Sequence, residues 1–281
     1  MYLPQEIHNA RVLITIKTYP LPSGKYGELV CTAGLLDGKK WVRIYPIPYR
    51  FLSDGKQYPK YSWVELDLIR NGKDFRPESY RPRKRIDEDI RVVEKLGTAN
   101  DWATRKSVVL KEVFTSMNEL IALAKGKERK SLATLKPLEL LDFVIEDDDR
   151  QWKEKWLAQA KQGNFLEILE AKCPSKEPHP VRKLPYKYSY QFLSEGDVKP
   201  RKLKIEDWEL GALFWNCLKK ADGDENEANL RVRQKYLVEF WEKKDLYFFL
   251  GTSKRYHNIS PNPFMIIGVF YPPKTMQTSL F

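Results

Sequence analysis

Asp149 and Glu170 are separated by a stretch with helical texture, and Lys172 lies two residues beyond the glutamate. Two carboxylates that converge can hold a Mg²⁺ ion, and a nearby lysine can stabilise or deprotonate the attacking water. That is the chemistry of metal-dependent phosphodiester cleavage. Against it, Glu-x-Lys is a common triplet in a chain with 31% charged residues. The residues before Glu170 also continue a helix rather than forming the strand such a site needs. A second kind of chemistry is reversible binding. Lys39, Lys40, Trp41, Arg43 and Tyr45 interleave cations with rings, a mixture with which single-strand binders follow phosphates and stack on bases. On a strand, Lys40, Val42 and Ile44 share one face and Trp41, Arg43 and Tyr45 the other. The second set either forms a stacking face or packs inward as core. Between Arg70 and Arg85 seven cations, among them Arg76, Arg81, Arg83, Lys84 and Arg85, stand against Asp74 and Glu78. That loop reads either as a set of phosphate-backbone contacts or as a solvated surface.

Other schemes find little support. The chain has no GxxxxGK[ST] loop and no Gly-x-Ser-x-Gly elbow, which argues against P-loop hydrolysis and an α/β-hydrolase site. Gly251-Thr252-Ser253-Lys254 reads only as a turn after a strand. The three cysteines are far apart and the three histidines lack ligand spacing, so neither a disulfide framework nor a structural zinc site is expected. No metal and no cofactor is anticipated. The net charge of +11 and the surplus of Lys and Arg favour encounter with polyanions. Residues 1–10 carry no basic segment followed by an apolar one, and no apolar run is long enough to span a bilayer. The expectation is a soluble cytoplasmic protein with no membrane partner.

The elements that must position these residues fall into an α+β pattern. Alternation at Arg11–Thr18, Glu28–Thr32, Lys40–Tyr45 and Trp63–Ile69, with turn signals at Asp37-Gly38 and Asn71-Gly72, predicts a β-barrel-like N-terminal domain over 1–95. A helical middle region is expected over 96–172, with Asn100-Asp101 capping a helix from Trp102. A second helix is expected over Ser116–Ala124, and Asp147–Asp149 should cap a third from Arg150. Leu138–Ile145 fits helix or strand equally. Four prolines between Cys173 and Pro185 mark a linker. A C-terminal α+β domain follows over 186–272, with a helix starting at Asp207, another from about Glu225 to Lys244, and two closing strands. Tyr271-Pro272-Pro273-Lys274 then stops the last strand and launches a tail over 273–281.

The tail Gln277-Thr278-Ser279-Leu280-Phe281 resembles the Gln-x-(Ser/Asp)-Leu-Phe peptide by which bacterial polymerases and repair proteins dock on the sliding clamp. The resemblance implies that Leu280 and Phe281 fill an apolar pocket of the clamp while Gln277 fixes register and Ser279 occupies the third motif position. The alternative is that Leu280 and Phe281 pack on the protein's own core. The Asp149/Glu170/Lys172 group resembles the Asp…Glu-x-Lys arrangement of restriction-type nucleases. Trp41–Pro48, Asp245–Thr252 and Phe264–Pro273 look like bacterial proteins described as carrying dual OB-like domains in genome-defence or mobile-element neighbourhoods. These resemblances imply a DNA-associated adaptor, with single- or double-stranded DNA, the clamp and other defence or repair proteins as partners. A Mg²⁺-dependent nuclease and a non-enzymatic scaffold are the alternatives.

Overall fold

The computed structural model describes residues 3–23, 27–37, 40–53, 55–154, 158 and 181–274. Five strands close into a barrel: β1 (Glu6–Lys17), β3 (Gly27–Leu36), β4 (Trp41–Ile47), β5 (Ser62–Arg70) and β6 (Ser79–Pro82). β1 runs antiparallel to both β3 and β5, with Leu13 opposite Leu35 on one side and Trp63 on the other. β4 pairs β6 in parallel, joining Ile44 to Tyr80, and β6 returns antiparallel to β5. The short β2 (Leu21–Ser23) lies on β3, and β7 (Arg91–Lys95) lies on β5. Alternation along each strand sends Val12, Ile14, Val42, Ile44, Val64 and Leu66 into the barrel interior.

The opposite face of the same strands is also buried. Leu13, Ile16, Ala33, Leu35, Trp41 and Trp63 pack with Leu132, Phe249, Ile267 and Phe270 from the second half of the chain. The expected facing of β4 is therefore correct, but Trp41 meets Phe249 edge-on, ring centroids 5.6 Å apart, instead of facing solvent. Apolar burial on both sides of the strands holds the two halves together.

The second half forms a ring of its own. β8 (Leu132–Leu135) pairs β12 (Tyr247–Thr252), which pairs β13 (Phe264–Phe270), while β9 (Glu139–Asp147) pairs β10 (Tyr186–Leu193), which pairs β11 (Arg201–Lys204). All four pairings are antiparallel. A parallel bridge between Ile205 and Ile266 links the two three-stranded sheets. β8 and β9 are consecutive in the chain, so the path closes there. Within it Phe143, Tyr188, Tyr190, Phe192, Phe248 and Ile266 form the largest core. The region expected as a helical middle is thus partly strand: residues 132–147 belong to the second ring, because β9 pairs with residues about forty to fifty-five positions on and β8 with residues more than one hundred and ten positions on.

Among the described residues the α-helices are α1 (Ile86–Asp89), α2 (Ala99–Val109), α3 (Met117–Lys125), α4 (Trp208–Lys220) and α5 (Glu225–Arg233), the last continuing as a π-helical stretch, Gln234–Glu242. Ser116 caps α3, Asp207 caps α4 and Asp224 caps α5, each side chain accepting from a first-turn amide. Asn100 and Asp101 do not cap. They and Trp102 adopt left-handed φ values of 49°, 50° and 64°. The turn carries the Trp102 indole onto Phe270 and Tyr271, at 5.7 and 5.5 Å. Among the described residues no helix is long and apolar enough to cross a membrane.

Candidate nucleic-acid interface

Two buried polar clusters join the rings; the first lies at the floor of a cleft between them, and the second reaches it only through Asp207. In the first, Arg43 of β4 donates to Ser131 Oγ at 2.9 Å and to the carbonyls of Ser131 and Thr252. Arg76 donates to the Thr252 carbonyl and pairs with Asp74. Glu78 accepts from both the amide and the hydroxyl of Ser131, at 3.0 and 2.8 Å. Burial, and then the charge of Arg76, lowers the Arg43 pKa from its usual value. Asp74 is partly desolvated, yet hydrogen bonds and charge from Arg76 hold its carboxyl down at about 2.

In the second cluster, Lys60 lies 2.9 Å from Asp207 and 3.0 Å from Glu209, with the Lys60 and Asp207 side chains almost wholly buried. Burial opposes its charge, but the two carboxylates hold the Lys60 ammonium above the usual lysine range. Among the described residues, neighbouring Lys17 is in no ion pair of its own. It donates to Tyr49 Oη and the Tyr58 carbonyl, and burial followed by the charge of Lys60 pushes its pKa down to about 8. Close by, Gly211 of α4 leaves room for Tyr19. A Cβ there would fall 2.2 Å from the Tyr19 ring, so this contact requires glycine.

Above this floor the cleft opens, with a volume of about 1330 Å³. The first barrel supplies Tyr45 of β4, the Asn71–Asp74 turn between β5 and β6, and Arg81 of β6. The second ring supplies Tyr186 and Lys187 of β10, Lys204 of β11, and Ser253 and Lys254 after β12. Tyr45 is 38% exposed, although the four residues before it on β4 are buried. Lys183 and Lys187 share Asp148, at 2.9 and 3.2 Å, and Lys204 pairs with Glu206 at 2.6 Å. Lys73 and Lys254 are exposed and form no ion pair with a described residue. The lining joins rings to an excess of positive charge, which suits a flexible polyanion carrying bases.

The residues singled out from sequence divide sharply. Tyr45 and Arg81 line the cleft as exposed residues, whereas Arg43 and Arg76 border it but are buried, and Trp41 is buried away from it. As surface contacts to a nucleic acid these three are corrected: tertiary packing uses the indole, and carboxylates and carbonyls use both guanidinium groups. Lys40 is exposed beside Trp41 and does not line the cleft. Arg83 pairs with Glu6, Lys84 lies between Asp67 and Asp89, and Arg85 pairs with Glu88, all outside the cleft. Asp149 lines the cleft. Its expected companions Glu170 and Lys172 lie outside the described residues, as do Lys39 and Gln277, Ser279, Leu280 and Phe281. Most of the helix expected from Arg150 and most of the proline-rich linker lie outside them too. Among the described residues, no three His, Cys, Asp or Glu side chains are grouped to hold a metal ion. Sequence reading missed Tyr186, Lys187, Lys204 and Lys254. The Gly251–Lys254 turn gave only a turn signal, and the strand residues gave no sign of which partner would face them.

Residues 8–111 match the model of a family described as Domain of unknown function (DUF8758), and residues 113–281 match that of one described as Domain of unknown function (DUF8757). The junction falls between α2 and α3, where the chain passes from the first barrel and its appended helix into the second ring. No curated protein matches the chain.

Proposed function

We propose that this chain, which belongs to the family described as Domain of unknown function (DUF8757), binds single-stranded nucleic acid in the cleft between its two rings and acts as a DNA-associated adaptor. One observation carries this reading: corresponding elements of both rings line one cleft. The first barrel is a five-stranded Greek-key closure of OB-like type. Such barrels take oligonucleotides on the face of their second and third strands and on the loops between strands one and two and strands four and five. In the first barrel these are β3, β4, residues 18–26 and residues 71–78. The cleft is lined by Thr18, Tyr19, Leu21, Cys31, Tyr45, Asn71–Asp74 and Arg76.

The second ring follows the same order when β8 and β9 are taken as one bent first strand. β10, β11, β12 and β13 are then strands two to five, and the bridge between Ile205 and Ile266 joins strands three and five in parallel, as β4 joins β6. Its corresponding elements supply Tyr186, Lys187, Lys204, Asp148, Asp149, Ser253 and Lys254. Tyr45 and Tyr186 offer stacking surfaces, and Lys73, Arg81, Lys187, Lys204 and Lys254 offer phosphate contacts. The tail motif Gln277–Phe281 supports recruitment to a bacterial sliding clamp, so that cleft and tail would combine two weak attachments into higher avidity.

The test is fluorescence anisotropy with a labelled single strand across a salt series. Lys73→Glu/Lys254→Glu should weaken binding about tenfold or more and flatten the salt slope by roughly one to two units, at about 0.7 per phosphate contact. Unchanged affinity and slope would remove the cleft from the function. In a clamp pull-down, Leu280→Ala/Phe281→Ala should abolish retention that the unaltered chain shows, and equal retention would sink the recruitment claim.

A further inference from the structure

On the far side of the turn between β5 and β6 lies a second cavity, of about 730 Å³. Arg70, Phe75 and Pro77 of the barrel form one wall, and Lys125–Arg129 with Asn258 form the other. Four cations, Arg70, Lys125, Lys127 and Arg129, face a single carboxylate, Glu128. None of the four is in an ion pair with a described residue. Elsewhere in the first barrel the exposed cations Arg83, Lys84 and Arg85 each have an acidic partner. Uncompensated positive charge is therefore gathered around a concave surface, where low-dielectric walls strengthen its field.

The end of α3 does not account for these cations. A helix C-terminus attracts them through its unpaired carbonyls, but here three of its last carbonyls are already used. The Ala122 carbonyl accepts from the Gly126 amide at 2.8 Å and that of Leu123 from the Lys130 amide at 3.2 Å. The Ala124 carbonyl accepts from His257 Nε2 at 2.9 Å, while His257 Nδ1 takes the hydrogen of Thr252 Oγ1. The ammonium groups of Lys125 and Lys127 are left for solvent or a ligand. Phe75 sets a ring in the same wall, 5.8 Å from the Arg129 guanidinium carbon.

One loop separates this cavity from the cleft. Asn71, Gly72 and Lys73 face the cleft, and Arg70, Phe75 and Pro77 face the cavity. We propose that the cavity is a second phosphodiester site on the same strand. The strand leaves the cleft over the Asn71–Lys73 turn, sets its phosphates among Arg70, Lys125, Lys127 and Arg129, and lays a base against Phe75. This rests on the cleft reading, and it fixes the direction in which a bound strand exits and lengthens its footprint beyond the cleft.

Oligothymidylates of about 6 and about 20 nucleotides, the first near the lower end of the site size of a single OB-fold and the second beyond its upper end, separate the two sites. Lys125, Lys127 and Arg129 are exposed, so their reversal should leave the thermal melt unchanged. Lys125→Glu/Lys127→Glu/Arg129→Glu should weaken the longer oligomer about tenfold or more and reduce its salt slope by about 2, at about 0.7 per lost phosphate contact. Affinity for the short one should stay the same. Wild-type affinity of this variant for the longer oligomer overturns the second site while leaving the cleft standing. Lys73→Glu/Lys254→Glu should weaken both lengths. A wild-type protein that binds neither length overturns the cleft reading and the second site with it.

Discussion

Two populations of cation meet along the seam between the rings, and their surroundings make them opposites. Arg43 and Arg76, which border the cleft, and Lys60, which does not, are buried and spend their hydrogen bonds on Ser131, Thr252, Asp74, Asp207 and Glu209. Lys73 and Lys254 stand above them, exposed and without an acidic partner among the described residues. The first set fixes how the rings sit against each other; the second is left available to a ligand. Net charge counts both equally, and only the partners separate a structural cation from a binding one.

The largest effect should come from breaking the seam. Lys60→Met leaves Asp207 buried without its counterion, and uncompensated buried charges of this kind cost about 3–5 kcal/mol. A urea melt should show that loss, whereas Lys73→Met should change stability by no more than about 0.5 kcal/mol. Lys60→Met/Asp207→Asn should recover much of the difference, because it removes both buried charges with their desolvation cost and keeps a capping side chain at the start of α4. Equal stability of Lys60→Met and the parent would mean that the pair does not hold the seam.

Much of this comparison lies beyond a sequence reading, for a physical reason. Alternation and helical period are local signals, so β1, β5, β10 and the helix starts at Ser116 and Asp207 are legible from a few residues. Pairing is not local. Phe248 finds Leu135 across more than a hundred positions, and no window of sequence shows that residues 132–147 close a second ring. Arg43 illustrates the same limit at the site. Its spacing with Trp41 and Tyr45 correctly puts all three on one face of β4, but nothing nearby shows that Ser131 and Thr252 will cover that face. Tyr45 lines the cleft because it lies farther along the strand.

A buried acid in the first barrel tests the distinction by titration. Glu28 pairs with Arg50 at 2.9 Å and its side chain is 3% exposed. Burial raises its pKa from 4.5 to about 7, against the charge and hydrogen bond of Arg50. With the folded value above the unfolded one, the native state holds the proton more tightly. Stability from this group is complete below about pH 4.5 and is lost as pH rises through about 7. The loss should reach at most about 3 kcal/mol at 1.36 kcal/mol per pKa unit. Urea midpoints between pH 4.5 and 7.5 should fall less steeply for Glu28→Gln. An identical slope would show that Glu28 does not titrate in this window.

The smallest effect is the sharpest discriminator between charge and position. Arg83, Lys84 and Arg85 form the densest basic run in the first barrel, and by composition they are its strongest polyanion ligands. In the structure each has a carboxylate partner and lies away from the cleft: Arg83 is 3.0 Å from Glu6, Arg85 is 3.3 Å from Glu88, and Lys84 is 3.8 Å from Asp67. Exposed pairs of this kind contribute about 0–1 kcal/mol to stability, so neutralising all three should barely move the melt. If position governs binding, Arg83→Gln/Lys84→Gln/Arg85→Gln should weaken single-strand affinity about twofold or less at moderate salt, through the long-range field alone. Neutralising only Lys73 and Lys254, fewer charges, should do more. A larger loss from the triple variant would move the binding surface from the cleft to the outer face that carries β6 and α1.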